Sequence, residues 1–85
     1  MVISPILMEK IVHSYAIEQR LRMIDFLLSQ YGHINRSALI SFFGISVPQA
    51  SADIRMYLDI APGNAAYDAV AKSYIRGGEF SRIYP

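Results

Sequence analysis

The chain has 85 residues, 53% hydrophobic and 18% charged, and its eight basic and seven acidic side chains give a formal net charge of +1. This length allows one small, marginally stable domain, and the apolar, aromatic composition excludes a disordered tail. The absence of cysteine excludes thiol catalysis, disulfides and cysteine-based metal sites, and it suits a reducing compartment. The net charge alone neither favours nor excludes a polyanionic partner.

The first residues are apolar, but they lack the basic start and the small-residue cleavage site of a signal peptide. No uninterrupted apolar run is long enough to predict a membrane span. We therefore expect a cytoplasmic protein without a membrane partner.

Apolar residues at helical spacing predict a helical N-terminal region that ends at Gly32. A second apolar stripe follows Pro5, and two interpretations are open at Tyr15: one long helix, or two helices separated by a break. The downstream stripe consists of Ile17, Leu21, Ile24, Leu28 and Tyr31, and the upstream one of Ile6, Leu7, Ile11, Val12 and Tyr15.

Capping residues predict two further helices. Asn35 is a good N-cap for a second helix, Arg36–Phe43, which ends at Gly44. Ser46 and Gln49 have the S-x-x-Q form of a capping box, which predicts a third helix from residue 47 to about residue 59. Pro48 then lies in its first turn. We expect its buried side to consist of Val47, Ala50, Ile54, and Tyr57 or Leu58.

Two short segments that each contain a tyrosine follow the turn at residues 61–64. They predict a β-hairpin, with strands at residues 66–68 and 73–76. Tyr67 and Tyr74 fit cross-strand packing better than stacking on bases. The last residues include Phe80, Ile83 and Tyr84, for which the sequence offers no packing partner. We divide the chain into an N-terminal extension (1–16) whose stripe could form a dimer, a folded domain (17–78) and a tail (79–85) that resembles a linker.

Two helices joined by a short turn that begins with glycine form a helix-turn-helix, and a following hairpin makes it winged. The predicted fold class is therefore mainly α with a small β-hairpin, a three-helix core plus wing. A helix that enters the major groove needs small or hydrogen-bonding side chains on its exposed N-terminal half. We expect base contacts from Pro48, Gln49, Ser51, Ala52 and Arg55.

Phosphate contacts are expected from Arg36 and Ser37 at the start of the second helix, and from Lys72 near the hairpin tip. The alternative interpretation of Arg36 and Lys72 is that both side chains are solvated and contact no phosphate. Asp53 would repel DNA if it pointed outward, so it is expected to have an intramolecular partner such as Arg36 or a neighbouring backbone N–H.

The sequence contains no Gly-rich phosphate loop, nucleophile elbow or paired-carboxylate pattern. His13 and His33 have no metal-ligand spacing around them. We expect no enzyme activity, no metal and no cofactor. Because helix-turn-helix folds also dock proteins, a protein-binding adaptor without DNA readout is the alternative function.

Several segments together are similar to one known family: Arg20-Leu21-Arg22, Asn35-Arg36-Ser37, residues 43–53, Ile60-Ala61-Pro62-Gly63-Asn64, and Tyr67-Asp68 followed by Ala71-Lys72-Ser73-Tyr74. Over residues 18–84 the chain resembles the N-terminal winged-helix domain of WYL-domain transcriptional regulators, especially the subgroup found beside bacterial anti-phage defence loci such as BREX and CBASS. The third helix is also similar to that of DeoR-type repressors.

The resemblance implies a homodimer that binds double-stranded DNA at an inverted-repeat operator and represses transcription. It places the third helix in the major groove and makes the hairpin around Lys72 the wing. Family members continue into a WYL sensor domain, which these 85 residues are not expected to include, so no small-molecule ligand site is expected in this segment.

Overall fold

The computed structural model describes the backbone of residues 5–85 and the side chains from Tyr15 onward. The predictions for the stripe from Ile6 to Val12 and for His13 therefore lie outside the described side chains. Among the described residues, no helix combines the length and the apolar character that crossing a membrane requires. The elements are α1 (Pro5–Tyr31), β1 (His33–Ile34), α2 (Arg36–Phe43), α3 (Val47–Ile60), β2 (Ala65–Asp68) and β3 (Ser73–Arg76).

α1 is one continuous helix without a break at Tyr15. It ends at Gly32, which has a φ of 79° and donates its N–H to the carbonyl of Leu28 at 3.0 Å. Nη1 of Arg76 donates to the carbonyl oxygen of Ser29 at 3.0 Å. This cation lies at the negative end of the helix dipole, so it stabilises the C-terminus of α1.

The caps of α2 and α3 confirm the predicted helix starts. Oδ1 of Asn35 accepts the N–H of Ala38 at 3.1 Å, and Oγ of Ser46 accepts the N–H of Gln49 at 3.2 Å. Gly44, with a φ of 68°, ends α2 in the left-handed region that glycine tolerates.

The buried side of α3 differs from the prediction at its first residue. Ala50, Asp53, Ile54 and Tyr57 are buried, whereas Val47 is 50% exposed. Val47 opens the helix, one turn before the stripe that packs against the core. Tyr57, rather than the half-buried Leu58, completes that stripe.

The sheet has three strands in the order β1-β3-β2, all antiparallel. The hairpin was predicted; the third strand, β1, was not, because its two residues appear in the sequence only as an extended link. Tyr67 lies opposite Tyr74, with ring centroids 5.1 Å apart at an angle of 64°. The expected cross-strand packing of these two rings is confirmed.

The C-terminal tail packs on the domain, so the expectation that its apolar residues lack a partner is wrong. Phe80, Ile83 and Tyr84 lie partly buried against the core. The side-chain amide of Asn64 donates to the carbonyl oxygen of Ser81 at 2.8 Å and accepts the N–H of Ser81 at 3.1 Å. Buried polar groups of the domain thus bind the tail through its backbone. The core consists of Leu21, Ile24, Leu28, Ile34, Leu39, Ala50, Ile54, Tyr57 and Ala65.

Candidate nucleic-acid interface

The outward face of α3 presents the small and basic side chains that the sequence singles out. Pro48, Ala52 and Arg55 are exposed, while Ala50 and Ile54 on the other side are buried. Within the described side chains, the guanidinium of Arg55 forms no ion pair. This face is therefore open to a ligand at Pro48, Ala52 and Arg55.

The other two predicted base-contact residues are half-buried and already hydrogen-bonded. Nε2 of Gln49 donates to Oδ1 of Asp53 at 2.8 Å. Oγ of Ser51 accepts from Nη1 of Arg36 at 3.2 Å. The side chains of Gln49 and Ser51 are therefore oriented by neighbours, unlike those of Ala52 and Arg55.

The predicted phosphate-contact residues meet in one cleft of about 450 Å³. Two cationic side chains, from the start of α2 and from the hairpin, lie on its walls together with hydroxyl and amide groups. The lining residues are Asn35, Arg36, Ser37, Ser51, Tyr67, Lys72 and Tyr74. The cleft joins the N-terminus of α2 to α3 and to the hairpin, so one extended ligand can contact all three elements.

The hairpin tip is organised by Asp68. Its Oδ1 accepts the N–H groups of Val70 and Ala71, both at 2.9 Å. Lys72 follows with a φ of 54°, in the left-handed region that is uncommon for a residue with a side chain. This local turn holds Lys72 at the edge of the cleft.

Asp53 has an intramolecular partner, as expected, but the partner is Arg20 of α1 and not Arg36. Nε of Arg20 donates to Oδ2 of Asp53 at 2.6 Å, and both residues are buried. Arg36 is bound to Ser51 instead. The sequence analysis did not identify Arg20 as the partner of Asp53. Its position between Ile17 and Ile24 on one helical face nevertheless indicated that Arg20 points toward the core.

Residues 16–84 match the family of the BrxR transcriptional regulator winged helix-turn-helix domain. The chain belongs to this family. The match covers the three helices from Ala16 on, the hairpin and most of the C-terminal tail.

Relatives of this BrxR-type domain are bacterial proteins named DNA-binding transcriptional repressor CapW. The relative from Pseudomonas aeruginosa is 48% identical over 68 residues, which are 80% of this chain and 23% of the relative. The relative from Escherichia coli strain KTE188 is 48% identical over 67 residues, 79% of this chain and 22% of the relative. The relative from Stenotrophomonas maltophilia is 46% identical over 65 residues, 76% of this chain and 22% of the relative. The BrxR-type chain thus spans less than a quarter of the length of these relatives.

Proposed function

We propose that this chain binds double-stranded DNA in a sequence-specific way, as the DNA-binding domain of a transcriptional repressor. The observation that carries the proposal is the open N-terminal face of α3 beside a cleft lined by Arg36 and Lys72. α3 enters the major groove, and the cleft receives the phosphate backbone beside it.

The residues divide into two roles under this proposal. Arg55 reads guanine through N7 and O6, Gln49 reads adenine, and Ala52 meets a thymine methyl, while Pro48 and Ser51 line the same surface. The phosphate contacts come from Arg36, Ser37 and Lys72, which fix the register of α3 on the duplex.

Our proposal for the biological role is based on the relatives, which are named DNA-binding transcriptional repressors. We propose that the chain acts as a homodimer on an inverted-repeat operator beside an anti-phage defence locus, without enzyme activity. Because a repressor acts on the chromosome, we place it in the bacterial cytoplasm. A two-fold symmetric dimer explains an inverted repeat, since each subunit reads one half-site.

The test is a fluorescence-anisotropy titration of the 85-residue chain against the inverted repeats upstream of its own gene, with scrambled duplexes as control. Phosphate contacts release counterions, so the affinity should fall steeply between low and physiological salt. Tight, salt-sensitive binding to the repeat alone supports the proposal. Equal, weak binding to repeat and scrambled duplexes contradicts sequence-specific readout by this chain.

One observation favours the adaptor as a second candidate. A separate cleft of about 320 Å³ between α1 and α2 is lined by Gln19, Arg22, Met23, Phe26, Phe42 and Phe43. Phe42 is 68% exposed and Phe26 is 44% exposed, so the two rings give this cleft an apolar surface that a protein partner could cover. A protein docked on this apolar cleft would be retained at high salt, whereas DNA would be released.

A further inference from the structure

We propose that Asp53 is a positioning residue that orients the side-chain amide of Gln49 for the recognition of adenine. This inference rests on the proposed DNA-binding function. It assigns a part in base readout to two buried residues, Asp53 and Arg20, that do not touch DNA themselves.

The three side chains form a continuous hydrogen-bonded series from the core to the surface. Nε of Arg20 on α1 donates to Oδ2 of Asp53 at 2.6 Å, and Nη2 of Arg20 approaches Oδ1 at 3.4 Å. Oδ1 of Asp53 also accepts from Nε2 of Gln49 at 2.8 Å. Asp53 is only 1% exposed, so its carboxylate is fixed by packing as well as by Arg20.

The chemistry of Asp53 determines which way the amide of Gln49 faces. A carboxylate held by a guanidinium accepts hydrogen bonds and donates none, so Gln49 must turn its NH₂ group toward Asp53. Gln49 and Asp53 are four residues apart on α3, which places their side chains next to each other on the helix surface. One N–H and Oε1 of Gln49 form no other hydrogen bond among the described side chains.

The N–H and the carbonyl oxygen of Gln49 that do not bond to Asp53 match the hydrogen-bonding groups of one base. Adenine offers the N7 acceptor and the N6 donor in the major groove, which pair with an N–H and a carbonyl oxygen. Guanine offers two acceptors, N7 and O6, so the carbonyl oxygen of Gln49 would face another acceptor. An amide that is already oriented also loses less side-chain freedom on binding than a free one. The pair of Arg20 and Asp53 thus favours adenine over guanine at the base pair that Gln49 reads.

The experiment compares the base preferences of variants by selection from a duplex library randomised across the operator. The set comprises the wild type, Gln49→Ala, Asp53→Asn and the double variant, all as the 85-residue chain. A good bidentate contact discriminates about 5- to 150-fold between bases. We expect Gln49→Ala to remove the adenine preference at one base pair. Asp53→Asn should weaken the preference at that same base pair and leave the others intact.

The double variant shows whether Asp53 acts through Gln49. If it does, Asp53→Asn changes nothing further once Gln49 is alanine. Arg20→Lys should weaken the same preference, because lysine cannot hold both carboxylate oxygens in a fixed fork. Its matched control is Arg22→Lys on the same helix, whose arginine pairs with Glu18 at 2.8 Å; this variant should keep the wild-type preference.

A merely structural role for Asp53 gives a different result. Asp53→Asn would then weaken binding to all sequences by the same factor, and the adenine preference would stay, which overturns the proposal. An unchanged preference after Gln49→Ala also overturns it. If the wild type shows no preference at any base pair, the proposed function itself has failed, so the two failures are distinguishable.

A measurement on the wild-type protein keeps the proposal falsifiable if the Asp53 variants fail to fold. ¹⁵N relaxation of the Gln49 side-chain amide in the free protein should show restricted motion on the picosecond to nanosecond timescale. The exposed side-chain amide of Gln30 on α1 serves as the mobile reference. Equal mobility of the two amides overturns the proposal.

Discussion

The hydroxyl of Tyr57 on α3 donates a 2.7 Å hydrogen bond to Oδ1 of Asp25 on α1, and both side chains are fully buried. Nδ2 of Asn64 donates to the same hydroxyl at 3.0 Å. The carboxylate of Asp25 also accepts the N–H groups of Ile83 at 3.1 Å and Tyr84 at 3.2 Å. One carboxylate therefore joins α1, α3 and the C-terminal tail.

Replacing Tyr57 with phenylalanine should lower the free energy of unfolding by about 1–3 kcal/mol, since Asp25 and Asn64 each lose a buried partner while the ring is kept. Urea denaturation followed by circular dichroism measures the change. Tyr67→Phe is the matched control, because the Tyr67 side chain is exposed and its loss of a hydroxyl should cost less than about 0.5 kcal/mol. Equal losses in the two variants would contradict the assigned role of the Tyr57 hydroxyl.

The same contact predicts a loss of stability at alkaline pH. Burial, and after it the hydrogen bond to Asp25, raise the pKa of Tyr57 well above its ordinary value of 10.0. Above about pH 10 the unfolded chain therefore releases this proton while the folded protein keeps it, so stability falls as the pH rises; below that pH the contribution is complete. The free energy of unfolding should decline more steeply in the wild type than in Tyr57→Phe. Parallel pH profiles for the two proteins would show that Tyr57 is not the group responsible.

The helices could be predicted from the sequence because their signals are local. Asn35 and Ser46 each cap the residues that follow them directly, and Gly44 ends α2 within the same stretch. β1 could not be predicted in this way. Its register, His33 opposite Ile75, depends on a strand far along the chain, and two residues carry too little pattern to indicate a strand.

In the candidate site, too, the sequence predicts the features that depend on nearby residues and misses those that depend on residues far along the chain. The helical period of α3 correctly predicts that Ala52 and Arg55 face outward, opposite the buried Ile54. The four-residue spacing of Gln49 and Asp53 allows a hydrogen bond between them, but the sequence does not show that Arg20, on another helix and 33 residues earlier, holds Asp53 in place for it. Tertiary contacts of this kind decide which polar side chains of a helix are free and which are engaged.

The close approach of two backbone segments predicts that Gly77→Ala is destabilising. A Cβ at Gly77 would clash with the carbonyl oxygen of Gly63, and backbone cannot move aside as a flexible side chain can. The N–H of Gly77 donates to the carbonyl of Asn64 at 2.9 Å, so relief of the clash would strain this bond. We expect a loss of about 1–3 kcal/mol, the range for overpacking, measured by urea denaturation.

The neighbouring glycine provides the control for this prediction. A Cβ at Gly78 meets no atom within 4 Å. Gly78→Ala should therefore change the free energy of unfolding by less than about 0.5 kcal/mol. If the two alanine variants were equally stable, the close packing of Gly77 on Gly63 would not hold in solution.

Two single substitutions separate base reading from phosphate binding. Arg55→Ala should weaken binding to the preferred duplex by about 1–3 kcal/mol and relax the preference at one base pair, because it removes the proposed contact with guanine. Lys72→Ala should weaken binding to all duplexes alike and reduce the slope of log affinity against log salt by about 1, because one released counterion is lost. Anisotropy titrations of both variants over a salt series measure these effects.

Arg22→Ala separates the effect of position from that of net charge. Arg22 lies on α1, paired with Glu18 at 2.8 Å and outside the cleft of Arg36 and Lys72. Its loss lowers the net charge as much as the loss of Lys72 does, but it should leave the salt slope unchanged, because no phosphate contact is removed. If Arg22→Ala reduced the slope as strongly as Lys72→Ala, DNA would respond to the overall charge of the domain, and the cleft would have no special role in phosphate binding.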